Sequence, residues 1–397
     1  MAEGKERKHH LDALRVSAIL LLIPYHASRY VQKGFTDSAL VDGVVWFVHA
    51  WHMPLFFAIS GYLAAGALRR SGVVKQLQSR GRRLGIPLVI GMLTVVPLAN
   101  LMVIASTQLR ARKQDVPADR ELDLANIFTA TPRHLWFLAY LLMISLIVVG
   151  IRALASRSAT LGGTAGRWFG WLMRNPLALV LLALVTGSIL LLKSGWAAGG
   201  SGASSLVPVP TLLLYYLAFF GFGVLMAGRD ELIEGLRRGA WIRLTAGMAL
   251  AIPVFLLFYN SGDFTGNVGA DGTLVDAGSP RILGLFAVGL VCWLTLLGIW
   301  GVAARYVRSE SRVLRYLADA SFWVYLIHIP FLIGLQSALA EADIYLPLRW
   351  ALTVIGTLLL SVGSYALFVR RTAIGTWLHG ARPRSRGEGK EGSPALG

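Results

Sequence analysis

The stretch RVSAILLLIPYH, residues 15–26, is strongly apolar, yet it begins with an arginine and ends with a histidine. In an α-helix, eleven residues rise roughly 16 Å and return to within about 20° of the starting direction. Arg15 and His26 are therefore predicted to lie on one face of a helix, at different depths. Since an ionisable residue in a membrane span costs roughly 2.5–3.5 kcal/mol, the pair is a candidate functional site.

Each of the two residues also has a simpler interpretation. Arg15 could reach the membrane surface and pair with Asp12, three residues earlier. His26 could lie among the outer headgroups, beside a kink at Pro24. Their position on a common face favours function over these alternatives.

Apolar runs of this kind recur along all 397 residues, of which 55% are hydrophobic and only 15% are charged. A soluble domain carries about 25% charged residues, whereas a membrane-spanning helix needs about 20 apolar ones. The sequence therefore predicts an all-α, polytopic protein of the lipid bilayer with about ten transmembrane helices. The predicted spans are 12–30, 44–68, 84–107, 134–151, 175–193, 207–228, 241–260, 281–304, 320–339 and 347–369.

The net charge of +17 comes mostly from Lys and Arg in the two tails and in alternate connections between the spans. Such residues accumulate in cytoplasmic loops, so both termini are predicted to be cytoplasmic. They form no compact patch interleaved with aromatic residues, and nucleic acid is not expected as a partner. Residues 1–379 are predicted to form one transmembrane domain, and residues 380–397 a disordered cytoplasmic tail.

Further polar residues are predicted at the depth of His26 or on matching faces. His49 and His52, three residues apart, share a face near the outer end of the second span, and Ser60 lies eleven residues beyond His49 on that face. The fourth span opens with Arg133 and His134. Arg133 is interpreted as an interfacial anchor, with a contact to a carboxylate of the substrate as the alternative.

The ninth predicted span carries a polar stripe. Ser321, Tyr325 and His328 are spaced i, i+4 and i+7, which places them on one helix face. Most of the eight histidines of the chain thus fall within predicted spans, a distribution that favours function over chance.

Histidines at such positions could instead bind a metal. His26, His49 and His52 would supply three imidazoles, the number that a catalytic zinc site takes. The one carboxylate within the predicted spans, Asp12, lies at the opposite end of the first span from His26, and the single cysteine, Cys292, lies in an apolar run. Imidazole bases are the simpler interpretation, and no metal site is predicted.

The connection after the second span, residues 69–87, carries six basic residues and no acidic one. Its Arg80, Arg82 and Arg83 are suited to bidentate contacts with phosphate groups. On this interpretation a phosphorylated ligand approaches from the cytoplasm. The alternative is an ordinary orientation signal.

Three motifs together resemble the acyltransferase 3 family of integral-membrane acyltransferases. The family marker of Arg or Lys, ten residues and His matches Arg15 and His26. Its R-x-x-R motif matches Arg80 and Arg83, and its F-F-x-x-S-G motif matches residues 56–61. Further segments are similar to the branch of the family that succinylates osmoregulated periplasmic glucans: LDALR (11–15), HMPLFFAISGY (52–62), RGRRLGIP (80–87), HLWFL (134–138) and ASFWVYLIHIP (320–330).

One position departs from that branch, which tends to carry two consecutive histidines in the ninth helix. Here the second position is Ile329. Any role of that second histidine is therefore absent from this chain.

The resemblance implies an acyl-coenzyme A donor that binds from the cytoplasm as a co-substrate, and no permanently bound cofactor. It implies a hydroxyl of a periplasmic glucan, or of another envelope glycan, as the acceptor. It also implies a multi-pass protein of the bacterial cytoplasmic membrane. The residues expected to bind the donor are Arg15, Arg80, Arg82 and Arg83.

On the same resemblance, His26 is expected to act as a general base on the acceptor hydroxyl. His52, Ser60 or Tyr325 would stabilise the oxyanion or orient His26. The candidate catalytic residues are His26, Arg15, His52, Ser60, Tyr325 and His328.

A transporter or flippase of a lipid-linked saccharide is the alternative class, since it would also use buried Arg and His. Broken helices in matched repeats would favour it, but no inverted repeat is visible in the sequence. A membrane receptor is a weaker third candidate. Among acyl groups, both acetyl and succinyl are compatible with the sequence.

Overall fold

The computed structural model shows an arrangement of helices, with no β-strand among the residues that it describes. The described residues are 8–30, 39–70, 72–114, 122–155, 159–175, 177–192, 206–260, 279–340, 342, 344–372 and 375. The predicted tail, residues 380–397, lies outside them.

Fifteen α-helices follow one another along the described parts of the chain. They are α1 (His9–Tyr30), α2 (Ala39–Arg70), α3 (Val73–Arg80), α4 (Ile86–Leu93), α5 (Val95–Gln114), α6 (Leu124–Ile127), α7 (Trp136–Ala155), α8 (Ala159–Arg174), α9 (Ala178–Leu191), α10 (Pro210–Met226), α11 (Asp230–Arg238), α12 (Ala240–Asn260), α13 (Ser279–Tyr306), α14 (Arg312–Ala340) and α15 (Leu346–Ser364).

Eight helical segments within the described residues are long and apolar enough to cross a membrane, and the number is ten if each of two bent helix pairs forms one span. The prediction of an all-α membrane protein with about ten spans is therefore confirmed. The bent pairs correspond to the fifth and sixth predicted spans. In one, 166–174 meets α9 at 115°, and in the other α10 meets α11 at 108°.

The prediction of helix boundaries is wrong before the third span. The apolar helical segment there runs over Val73–Leu109 rather than 84–107. A π-helical turn, Gly81–Gly85, joins α3 to α4, so that the arginines predicted in a connection lie in continuous helix. The reason is packing, because α3 and the π turn lie against α7 and bury Gln76 and Leu84.

Two further helices, α8 and α11, were not predicted as separate elements. Both are amphipathic and too short to cross a membrane alone. They contact each other, with Arg174 and Glu231 joined by an ion pair of 4.0 Å. Asp230 at the start of α11 also pairs with Lys8, just before α1. The pair α8 and α11 therefore lies at the end of the bundle where α1 begins.

Helices α2 and α10 approach each other at two glycines. A Cβ atom on Gly61 would lie 2.0 Å from the carbonyl oxygen of Phe220, and one on Gly223 would lie 1.8 Å from that of Ala58. Neither distance is sterically possible, so the close approach of the two backbones requires glycine at both positions. Gly61 is the last residue of the F-F-x-x-S-G motif, and its role in that motif is structural.

Helix α1, which contains the stretch RVSAILLLIPYH, is an interior helix. It packs against α2, α13, α14 and α15. Its apolar side chains are buried at Leu14, Ala18, Ile23 and Ala27. The polar ends of the stretch therefore face protein rather than lipid.

Candidate active site

Arg15 contacts the facing helix α14. Its Nη2 donates a hydrogen bond to Ser321 Oγ at 3.2 Å, and its Nη1 lies 3.9 Å from Asp12 Oδ1. The Ser321 hydroxyl in turn donates to the Ala318 carbonyl at 2.7 Å. The pairing with Asp12 that the simpler interpretation predicts is present, and it coexists with the contact to α14.

His26 contacts the same helix, eleven residues further along α1. Its ring centroid lies 5.3 Å from that of His328, whose ring lies 5.0 Å from that of His134. Arg15 and His26 thus share a helix face, as the spacing predicts. They lie against the same neighbour, which also carries the predicted stripe of Ser321 and His328.

Four histidines line a cavity of about 80 Å³. They come from three separate helical regions of the chain, since His26 lies on α1, His49 and His52 lie on α2, and His134 precedes α7. Aromatic side chains form much of the remaining wall: Tyr25, Phe56, Trp136, Phe137 and Tyr325. The cavity is therefore a small, apolar-walled chamber whose polar groups are mainly imidazoles.

Backbone carbonyls fix the tautomers of three histidines in the cluster. His52 Nε2 lies 2.7 Å from the Ala18 carbonyl oxygen, and His328 Nδ1 lies 2.8 Å from that of Tyr325. A carbonyl can only accept, so in each case the ring nitrogen is the donor. The opposite nitrogen of a neutral ring then carries a lone pair.

His134 is fixed in the same way by a carbonyl that a proline leaves free. Pro330 has no backbone N–H, so the carbonyl of Leu326, four residues earlier, lacks its usual helical partner. His134 Nε2 donates to that oxygen at 3.0 Å. The sequence places His134 at the start of a predicted span but does not identify it as a site residue. The sequence signal for its role is Pro330, which lies on another helix.

The turn before α7 directs His134 into the bundle. Arg133 has a φ angle of 47°, in the left-handed region that only glycine adopts without cost, and its Nε donates to Asn100 Oδ1 at 2.5 Å. Asn100 donates to the Ile127 carbonyl at 2.7 Å. Strain of this kind persists where surrounding contacts hold it, and it clusters at functional sites.

Tyr325 lies in the cavity wall, but its hydroxyl is engaged. It donates to the backbone carbonyl of His134 at 2.8 Å, and its ring lies 5.6 Å from that of His134. The proton of Tyr325 is thus directed at the backbone. The hydroxyl anchors the turn that carries His134, and the two roles that the sequence leaves open for Tyr325, oxyanion stabilisation and orientation of His26, stay predictions.

Three predicted catalytic residues lie outside the cavity wall, and one of them, Arg15, lies at the other end of the α1 face. His328 lies next to the wall, in ring contact with His26 and His134. Ser60 lies eight residues beyond His52 on α2, roughly 12 Å along the helix axis, and does not line the cavity. It remains a candidate by motif only.

The arginines predicted to bind phosphate lie at the π turn, which packs near a part of α7 that does not line the cavity. Gly85, at the end of the π turn, faces Leu142, whereas Phe137 on the same helix lines the cavity. Arg82 and Arg83 are exposed and Arg80 is half-buried. The arginine cluster and the histidine cavity are thus separate features.

Within the described residues, no group of three or more His, Cys, Asp and Glu side chains is arranged to hold a metal ion. The imidazoles meet by ring contacts and by hydrogen bonds to backbone carbonyls instead.

The imidazole cluster lies in a multi-helix membrane protein, and comparison with known proteins identifies the class to which this protein belongs. The model of the acyltransferase 3 family, described as an acyltransferase domain, matches residues 8–367. The chain belongs to this family of membrane acyltransferases.

Among curated proteins, the chain is similar to glucans biosynthesis protein C from Escherichia coli strain K12 and from Escherichia coli O139:H28, strain E24377A. Each is 25% identical over 342 residues, which cover 82% of this chain and 82% of the relative. No solved structure matches the chain.

Proposed function

We propose that this protein transfers an acyl group from cytoplasmic acyl-coenzyme A to a hydroxyl group of an envelope glycan on the opposite side of the bacterial cytoplasmic membrane. The observation that carries the proposal is the placement of His26 in a cluster of buried imidazoles, while Arg15 occupies the other end of the same helix face. The orientation with both termini in the cytoplasm is part of the proposal.

The reaction needs one general base, which carries a proton from the acceptor hydroxyl to the leaving thiolate. His26 removes the proton from the acceptor hydroxyl, whose oxygen attacks the thioester carbonyl carbon. The carbon–sulfur bond of the tetrahedral intermediate then breaks. The thiolate leaves with the proton returned from His26, which yields the ester and free coenzyme A.

The surroundings of His26 suit this step. Aromatic walls exclude water, which strengthens electrostatic interactions in the site. The N–H of His52 is engaged with Ala18 and the hydroxyl of Tyr325 with His134. The imidazolium of His26, formed in the first step, is therefore the donor that we assign to the oxyanion.

The donor is proposed to bind through the arginines at the π turn. Arg82 and Arg83 are exposed, as contact with nucleotide phosphates requires, and guanidinium groups bind phosphate in bidentate fashion. Arg15, held by Ser321 and Asp12, would meet the acyl thioester on its way to His26.

The acceptor is proposed to be a glucan, because the curated relatives are named for glucan biosynthesis. Acetyl and succinyl groups are both retained as the transferred unit. The alternative, movement of an intact lipid-linked saccharide, would be favoured by broken helices in matched repeats, whereas the two bent pairs of the described residues are adjacent along the chain.

The test is acyl transfer by the purified full chain in detergent, where both faces are accessible. Radiolabelled acetyl- and succinyl-coenzyme A are supplied with glucan oligosaccharides, and label in the saccharide is counted. Transfer by the wild type and a loss of about 10²–10⁴-fold in His26→Ala support the proposal. His9→Ala, at the start of the same helix, is the control.

Wild-type turnover in His26→Ala would remove the proposed base. In proteoliposomes, movement of an intact labelled saccharide without acylation would replace the proposal with the transporter.

A further inference from the structure

Two ring nitrogens of the histidine cluster have no hydrogen-bond partner among the residues that the structure describes. They are Nδ1 of His134 and Nε2 of His328. Both side chains are more than nine-tenths buried, at 6% and 0% exposure. Since an unpaired buried polar atom is costly, each nitrogen calls for a hydrogen-bond donor beyond those that the described residues supply.

Both nitrogens are acceptors, because each ring already donates from its other nitrogen. His134 donates to the Leu326 carbonyl, and His328 donates to the Tyr325 carbonyl. A neutral imidazole that donates from one nitrogen presents a lone pair at the other. The site thus contains two fixed lone pairs, on rings whose centroids are 5.0 Å apart.

These two lone pairs lie beside His26, the proposed base. The ring of His328 lies 5.3 Å from that of His26, and His134 shares the cavity wall with His26. As the general base, His26 contacts only the acceptor hydroxyl that is acylated. The two further lone pairs therefore exceed what transfer to a simple alcohol requires.

We propose that the pair of His134 and His328 accepts hydrogen bonds from acceptor hydroxyls other than the one that is acylated, with His134, which lines the cavity, as the main contact. This inference rests on the proposed function and assigns to two residues the recognition of the hydroxyls that neighbour the acylated one on the sugar ring. His134 is then a specificity-determining residue of the site.

A site of this kind discriminates between acceptors, because a poor acceptor leaves a buried polar atom of the site without a hydrogen bond. An acceptor that lacks the neighbouring hydroxyl would leave a buried lone pair without a donor, and such sites reject the deficient analogue strongly. The Leu326 carbonyl matters because it holds the ring in the accepting tautomer. Pro330 matters because it keeps that carbonyl available.

The experiment uses methyl β-glucoside and its monodeoxy analogues with acetyl- or succinyl-coenzyme A. The acylated position is located by mass spectrometry and NMR, and kcat/KM is measured for each analogue. Removal of the hydroxyl next to the acylated one should lower kcat/KM of the wild type by about 10²-fold or more. In His134→Phe the same removal should change kcat/KM by less than about 3-fold, because the lone pair is gone.

Matched variants separate this role from a structural one. His9→Phe changes a histidine at the start of α1, outside the cavity, and it should keep the wild-type discrimination. His134→Gln can donate to the Leu326 carbonyl and still accept, so it should recover part of the discrimination. Pro330→Ala returns a backbone N–H to that carbonyl without touching the ring, and it should weaken discrimination in the same direction as His134→Phe.

The outcomes are distinguishable from failure of the proposed function. Equal sensitivity to the deoxy analogues in wild type, His134→Phe and Pro330→Ala overturns the inference and leaves acyl transfer intact. A wild type that acylates the glucoside without discrimination also overturns it. A wild type that transfers no acyl group to any saccharide overturns the proposed function, and the inference with it.

Discussion

Arg15 Nη2 donates a hydrogen bond to Ser321 Oγ at 3.2 Å, and this contact joins one end of α1 to α14. Further along the same two helices, His26 meets His328. Since both pairs follow the chain in the same order, α1 and α14 run side by side in the same direction. The proposed route from donor to acceptor follows this interface.

The first prediction concerns the two partners of that hydrogen bond. Arg15→Ala should lower kcat/KM for acyl-coenzyme A by at least about 10²-fold, because it removes a charged group from the route. Ser321→Ala should cost about 5-fold, equivalent to one neutral hydrogen bond of about 1 kcal/mol, since Asp12 still holds the guanidinium.

Steady-state kinetics with varied acyl-coenzyme A measure both effects. Ser337→Ala is the matched control, because Ser337 is a half-buried serine of the same helix whose hydroxyl donates to the Ile333 carbonyl within that helix. An Arg15→Ala enzyme with unchanged donor kinetics would contradict the proposed role.

The second prediction concerns the arginines of the π turn. The double variant Arg82→Ala, Arg83→Ala should lower kcat/KM for acyl-coenzyme A by roughly 10–100-fold, as expected for the loss of charge-assisted contacts to phosphate. With acyl-pantetheine, which carries no phosphate, the same variant should match the wild type within about 3-fold, because nothing remains for the arginines to bind.

Arg315→Ala controls for the loss of positive charge, since Arg315 is exposed and paired with Glu310 at 2.5 Å. An equal loss with both donors would show that the arginines act on folding or orientation rather than on phosphate.

The arrangement within each helix could be predicted from the sequence. The spacing of Arg15 and His26 fixes their common face, and the spacing of Ser321 and His328 fixes theirs, because helix geometry is local. The number of spans followed from hydropathy in the same way. These predictions need no knowledge of which helices are neighbours.

The contacts between helices could not be predicted in this way. Nothing in the sequence around His134 shows that its ring meets a carbonyl freed by Pro330, nearly two hundred residues later. The bends at α8 and α11 were missed because short amphipathic helices adjoin apolar runs of near-spanning length. The structural role of Gly61 could not be predicted either, because Phe220, which it contacts, lies on another helix.

The third prediction tests the glycine contact between α2 and α10. Gly223→Ala would place a methyl group against the Ala58 carbonyl and force the helices apart, with an expected loss of about 3 kcal/mol or more in unfolding free energy. Gly221→Ala is the matched control on α10, because a Cβ atom there meets nothing within 4 Å. It should be neutral or slightly stabilising, since alanine is the better helix former.

Thermal unfolding in detergent, followed by size-exclusion chromatography of heated samples, measures the difference. If both alanine variants unfold at the same temperature, the close approach of α2 and α10 is not required for stability.

The last prediction separates orientation from catalysis at Tyr325. Its hydroxyl donates to the His134 carbonyl at 2.8 Å, so Tyr325→Phe leaves a buried carbonyl unpaired. We expect a loss of about 1–3 kcal/mol in stability and a fall of about 10-fold in kcat, because the turn that carries His134 loses an anchor. Tyr316→Phe, at a half-buried tyrosine of the same helix, should change neither quantity. A fall of 10³-fold in kcat with unchanged thermal stability would instead assign the hydroxyl to the transition state, where an oxyanion donor contributes an effect of that size.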